Sequence, residues 1–320
     1  MAKQLPLPLP LPPAQRWRNG YDSYRRPGEE IPTRDYAVER ITSTIAGRLI
    51  AEHHYLRTMP YTIASWGLFY TPGLAPAQLV GTLVLGVPIN RKAAEKLIGP
   101  DRATADISRL LLVDSVPYNG ESWFTAQVFR QIATDPELRS LELITSYSDP
   151  TVRMTTTGHI VKRGHLGGVY QTLSAIYTGR TRRAKVYVAT KTGDILNSRS
   201  LSKIANEREG IDAAIKRLVT MGAPARLTHE TGRAYLTRAL TEGPFHKAVH
   251  PGNHRYFFPQ TRHARRALEP YDLTPALYPK AAYAPGPTIF TVPGAADLDV
   301  FDAPDESELL LAGEHPPLAA

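Results

Sequence analysis

The amino-acid sequence predicts an α/β (α+β) protein: a mixed central sheet flanked by helices, a small basic α+β extension on its C-terminal side, and disordered ends. Three observations carry this expectation. Helix-period and strand-period segments alternate between Val38 and Val188 in the order α-β-β-α-β-α-β-α-β, an alternation that layers helices against one sheet. The 320 residues are 42% hydrophobic, enough for one substantial core and a smaller second unit. Both ends depart from that pattern. The expected divisions are a Pro-rich leader over 1–34, a core over 35–190, a basic extension over 191–280 and an acidic tail over 281–320.

Residues 5–13 alternate Leu and Pro, which fixes φ and removes amide donors at every second position, so an extended polyproline rod is expected there. Val38, Ile41, Ile45 and Leu49 fall at helical spacing and predict an amphipathic helix running into Glu52-His53-His54-Tyr55. Thr62–Tyr70 and Gln78–Val87 read as strands of a hairpin, joined by the turn-rich Thr71-Pro72-Gly73-Leu74-Ala75-Pro76. A short charged helix spans Arg91 to Leu97, followed by the buried-strand pattern Ile107 to Asp114. Pro117-Tyr118-Asn119-Gly120 breaks that strand, and Glu121-Ser122 opens a helix over Trp123–Ala133 whose N-terminus attracts anions.

Leu141 to Thr145 alternates like a half-buried strand. It runs into the segment richest in chemistry, from Ser146-Tyr147-Ser148-Asp149-Pro150 to Gly164-His165-Leu166-Gly167-Gly168-Val169-Tyr170. Loops at the carboxyl ends of strands are where α/β folds hold ligands. A helix over Val169–Tyr177 and a strand at Lys185–Val188 complete the core. Beyond them lie a turn at Thr192-Gly193-Asp194, a helical stripe from Ile211 to Val219 ended by Gly222, and a strand at Asn253–Phe258 leading into Arg262-His263-Ala264-Arg265-Arg266.

Composition narrows the function. The chain has no cysteine, which removes disulfides, thiolate nucleophiles and thiolate metal sites, so any metal would use His, Asp, Glu or Tyr. The net charge is +8, and residues 291–320 hold seven acids and no Lys or Arg, which leaves +15 on residues 1–290. Such an excess points to a polyanionic partner. No apolar run is long enough to span a membrane and no signal peptide is evident, so a soluble cytoplasmic protein without a membrane partner is expected. A homo-oligomer is compatible with the sequence.

The element order resembles the GNAT acyltransferase fold. His53-His54-Tyr55-Leu56, Ile107-Ser108-Arg109-Leu110, Asn119-Gly120-Glu121-Ser122, Ser146 to Pro150 and Gly164 to Gln171 are similar, in that order, to the Mom-like phage DNA-modification proteins of the bacteriophage Mu Mom family. These segments span residues 53 to 180, about 40% of the chain. Ser200-Leu201-Ser202-Lys203-Ile204 and His254-Arg255-Tyr256 add to the likeness. The resemblance implies an enzyme that adds a carbamoylmethyl-type group to the N6 amino group of adenine in double-stranded DNA and so shields phage DNA from host restriction. It implies Arg109, Ser122, Asp149, Tyr170 and Tyr55 as active-site residues. It also makes iron an option, held by His53, His54 and His165 with Asp149. His159 falls between Asp149 and Gly164, an interval longer here than the family leads one to expect.

The residue types bear on the same question independently. An arginine inside a buried strand needs an acid or phosphate partner, and Asp149 at the end of the next strand is placed to supply one, for structure or for catalysis. Ser122 doubles as a helix-capping residue, and Tyr170 and Tyr55 as core aromatics. A Ser122-His165-Asp149 triad lacks the Gly-x-Ser-x-Gly elbow. The carboxylate of Glu121 at the helix N-terminus argues against acetyl-coenzyme A. Arg255, Arg262, Arg265 and Arg266, flanked by aromatics, suit phosphate-backbone contacts. Two alternatives stay open: a non-catalytic DNA-binding or regulatory protein on a GNAT scaffold, and a conventional acyl-coenzyme A N-acyltransferase.

Overall fold

A computed structural model describes residues 14–17, 22–25, 28–88, 91–154, 160–162, 164–274 and 278–279. Strands β1 (Ala14–Trp17) and β2 (Asp22–Arg25) pair as an antiparallel hairpin within the segment expected to be disordered. Ile31 is buried in the main core, and its amide donates to Asn119 Oδ1 at 2.7 Å. The leader is therefore part of the fold from Ala14 onward where it is described. The Leu-Pro run and the tail from Ala281 lie outside the described residues, as does His159.

Next come β3 (Tyr36–Ile41) and helix α1 (Ser43–His53). The expected helix thus begins later: Val38 and Ile41 lie in a strand, and Thr42 caps the helix by accepting from the Ile45 amide. β4 (Thr62–Tyr70) and β5 (Gln78–Gly86) form the anticipated hairpin. α2 (Arg91–Ile98), β6 (Thr104–Leu112), α3 (Gly120–Thr134) and β7 (Leu143–Ser148) follow, then the short pair β8 (Arg153–Met154) and β9 (Ile160–Lys162). Helix α4 is one short piece, Gly168–Thr172, because the chain turns at Ser174 into β10 (Ile176–Arg180), where a longer helix was expected.

Residues 184–250 form an insert: β11 (Ala184–Ala189), α5 (Ser198–Ala205), α6 (Ile211–Thr220), α7 (Gly232–Glu242) and β12 (Phe245–His250). It has its own core around Leu201, Ile204, Leu218, Tyr235 and Leu236. The chain then returns through β13 (His254–Pro259) and α8 (Arg262–Leu268). The expected division at residue 190 does not hold. β13 enters the central sheet between β10 and β7, so the C-terminal part completes the core.

The sheet runs β10-β13-β7-β6-β5-β4-β3, the mixed central sheet flanked by helices anticipated from the sequence. All its neighbours are antiparallel except β6 and β7. That parallel pair is joined only from Thr104–Asp106 to Leu143–Thr145. Beyond it β6 follows β5 and β7 follows β13, so the sheet opens between them. α1 covers Val84 and Leu111, and α2 with α8 covers Leu143, Ile176 and Phe257. On α3, Gln131 accepts from Trp66 Nε1 at 2.9 Å and donates to the Val38 carbonyl at 2.7 Å, tying that helix to β3 and β4. No helix among the described residues is long and apolar enough to cross a membrane.

Candidate active site in the sheet opening

Asp149 follows the last residue of β7 at the opening, and its carboxylate is held from several sides. Oδ1 accepts from the Thr151 amide at 2.9 Å and the Thr151 hydroxyl at 2.6 Å, the local bonding that turns the chain out of the strand. His250 Nε2 lies 3.1 Å from the same oxygen. Since the Gly252 amide donates to His250 Nδ1 at 3.1 Å, the ring carries its proton on Nε2 and donates it to Asp149. Gly252 is required in this turn: its φ is +91°, and a Cβ there would sit 2.0 Å from the Thr181 carbonyl oxygen. Oδ2 meets the ammonium of Lys162 at 2.7 Å, a side chain only 2% exposed. The same ammonium lies 3.2 Å from the Asp149 carbonyl and 5.7 Å from the centre of the Tyr55 ring.

Tyr55 follows the end of α1, where His54 stacks on it at 4.4 Å. Arg109, half-buried on β6, donates to the Thr58 carbonyl at 2.7 Å from Nη2 and to the Ser108 carbonyl at 2.6 Å from Nη1. The expected Arg109–Asp149 pair does not form, because β6 and β7 have parted by that point and backbone carbonyls take up the guanidinium. Burial pulls the Arg109 pKa below its ordinary value, and the neighbouring Tyr55 pulls it back. Arg109, Tyr55, Lys162 and Asp149 thus form a chain of charged and aromatic groups across the opening.

The inner wall is aromatic and polar. Gly167, at φ +74°, lets α4 start against the Tyr256 ring, and Tyr170 packs 5.3 Å from that ring. Burial raises the Tyr170 phenol above its usual pKa and pushes Tyr256 up to about 12, so both stay protonated at neutral pH. Tyr177 bonds His254 Nδ1 at 2.8 Å, and burial lowers His254 to about 4, leaving that imidazole neutral. The buried His254 Nε2 has no hydrogen-bond partner among the described residues. His165 is exposed to solvent. Desolvation and then the Lys162 charge lower its pKa.

At the start of α3 the Ser122 hydroxyl donates to the Asn119 carbonyl at 3.0 Å, bracing the first turn. Glu121 beside it is engaged by Arg16 of the N-terminal hairpin, at 2.6 Å and 3.1 Å. Arg16 also donates to the carbonyls of Val113, Val116 and Pro117, so the chain's own ion pair occupies the helix N-terminus where an anionic cofactor was weighed.

The profile of the Mom protein family matches residues 35–280. The chain belongs to the Mom protein family. Membership supports phage DNA modification as its broad role. No curated protein matches the chain. Among solved structures, one described as a tandem GNAT protein from the clavulanic acid biosynthesis pathway (without AcCoA) is similar at 9% identity and a TM-score of 0.35. That likeness covers 71% of this chain and 99% of that one.

In this Mom-family chain the residues weighed as iron ligands do not converge. His53 lies at the end of α1, 3.5 Å from Glu52, and His54 Nδ1 accepts from the Leu56 amide at 2.9 Å. Among the described residues no three His, Asp or Glu side chains are grouped to hold a metal ion. The donor set at Asp149 therefore does not fit iron.

Of the four arginines weighed for DNA, Arg262, Arg265 and Arg266 are exposed on α8. Arg255 differs: it is half-buried on β13, donates to the Thr178 carbonyl at 2.6 Å, and has its pKa lowered by burial. Its strand position is opposite Tyr147 in the ladder. Lys162, His250, His254 and Tyr256 were not singled out from the sequence as part of the site. The one signal was the His250-Pro251-Gly252-Asn253-His254 turn, which sets two imidazoles at the seam where the insert rejoins the sheet.

Proposed function

We propose that this Mom-family chain is a transferase that adds a carbamoylmethyl-type group to the adenine N6 of double-stranded DNA, acting in the host bacterial cytoplasm to protect phage DNA from restriction. The observation that carries the reading is the line Arg109–Tyr55–Lys162–Asp149 across the opened sheet. It joins three of the motif residues around one carboxylate at a strand end. An adenine inside a duplex cannot reach such a cleft, so the base is flipped out of the stack. There the Asp149 carboxylate accepts the N6 hydrogen while the new N–C bond forms and the donor's bond to the transferred carbon breaks, its leaving group departing with that electron pair, and the carboxylate stabilises the positive charge that develops on nitrogen. Tyr170, kept protonated by burial, serves as a hydrogen-bond donor. Arg109 supplies a fixed positive charge for the polar end of the donor molecule, and the exposed arginines of α8 hold the phosphate backbone.

The test is nucleoside analysis of plasmid DNA from bacteria that express the chain, with parallel digestion by restriction enzymes that cut at adenine-containing sites. A modified deoxyadenosine and resistance to cleavage support the reading. DNA binding with an unchanged nucleoside profile would instead favour a non-catalytic DNA-binding protein.

A further inference from the structure

We propose that Lys162 is the resident cation of this site: its ammonium fills the place beside Asp149 that a divalent metal would need, and it fixes the carboxylate against Tyr55 without a metal ion. The side chain enters from the end of β9 and is 1% exposed as a residue. Its Nζ is 2.7 Å from Asp149 Oδ2, 3.2 Å from the Asp149 carbonyl oxygen and 5.7 Å from the Tyr55 ring centre. A buried lysine is stable only when its charge is paired and hydrogen-bonded, and this one has both.

A transition metal binds a carboxylate oxygen at about 2.0–2.2 Å. At Asp149 Oδ2 such an ion would stand within one contact distance of a positive charge. The repulsion would drive the ammonium away and leave it buried without its partner. The opposite oxygen offers no alternative entry, because Thr151 and His250 already donate to Oδ1. The His250 imidazole points its proton at the carboxylate and its other nitrogen at the Gly252 amide, so it is not oriented as a metal ligand. Lys162 is in consequence a positioning residue. It fixes the direction of the Asp149 carboxylate, and its ammonium lies between that carboxylate and the Tyr55 ring.

Metal binding by the full chain tests this independently of DNA modification. Purified wild-type protein, titrated with Mn²⁺ and followed by water proton relaxation, is expected to bind no stoichiometric ion. Stoichiometric binding that Asp149→Asn abolishes overturns the proposal. A second arm, which rests on the function proposed above, compares DNA modification by Lys162→Met and Lys162→Arg variants alongside their thermal melting. The Met variant is expected to lose about tenfold or more, the scale of one charge-assisted hydrogen bond, and the Arg variant to recover part of it. Wild-type modification by a folded Met variant also overturns the proposal. Should the wild-type chain modify no DNA, the function reading falls while the metal titration still decides the role of Lys162.

Discussion

Replacing Arg16 by Met should destabilise the whole core, although the residue lies in a leader that the sequence gives little reason to order. The Arg16 side chain is 4% exposed and that of Glu121 is 13% exposed, so the pair is poorly screened by solvent. The guanidinium donates to both Glu121 oxygens and to three backbone carbonyls in the turn before α3. Removing one partner of a buried pair costs about 3–5 kcal/mol, because the other charge stays behind without its partner. For a domain of this size each kcal/mol moves Tm by about 2–4 °C, so a fall of roughly 6 °C or more is expected. Differential scanning calorimetry on wild type, Arg16→Met, Glu121→Met and the double variant measures it. The double variant should recover part of the loss, since it leaves no unpaired charge but still strips donors from the carbonyls of Val113, Val116 and Pro117. A single Arg16→Met variant melting within about 1 °C of wild type would refute the reasoning.

Further expectations follow from the inner wall and from α8. Gly167→Ala places a Cβ 2.6 Å from the Tyr256 ring and 2.8 Å from the Tyr170 ring at a left-handed φ, so it should lower both Tm and DNA modification. Gly168→Ala, where a Cβ meets nothing within 4 Å, is the control and should stay within about 0.5 kcal/mol of wild type. His254 has a folded pKa of about 4 against an ordinary 6.5, so between those values the unfolded chain binds more protons. Its contribution to stability is complete above pH 6.5 and is lost as pH falls toward 4. The slope is at most about 1.4 kcal/mol per pH unit, and His254→Gln should flatten it in urea titrations across that range. Replacing Arg262, Arg265 and Arg266 by Ala should reduce the log–log salt slope of DNA binding by about 0.9 for each phosphate that is no longer neutralised. Arg255→Ala should leave that slope alone and instead lower Tm, because its guanidinium is spent on the Thr178 carbonyl.

Local periodicity made much of the sheet legible. The β4–β5 hairpin, the buried run of β6 and the start of β7 are each coded by alternation or apolar runs that read without tertiary context. Where two elements abut without a breaker, the pattern misled. Val38 and Ile41 share helical spacing with Ile45 and Leu49, and only the Thr42 cap separates strand from helix. Residues 184–250 concealed the topology in the same way, because a strand 74 residues after β10 gives no local sign that it pairs with β10. The site was legible as a list of chemical groups around Asp149, Tyr170 and Arg109. It was not legible as a set of partners: Lys162 and His250 reach Asp149 from 13 and 101 residues away, distances set by the fold.

The central claim is that the cleft at Asp149 modifies adenine in DNA, and it is tested most directly by mass spectrometry of deoxynucleosides from bacteria expressing either the wild-type chain or Asp149→Asn at matched soluble levels. The account predicts a deoxyadenosine species heavier by a carbamoylmethyl group with the wild type, and its loss in the variant while the other three nucleosides stay unchanged. Unmodified deoxyadenosine with folded wild-type protein, or equal modification by the Asp149→Asn chain, would contradict it.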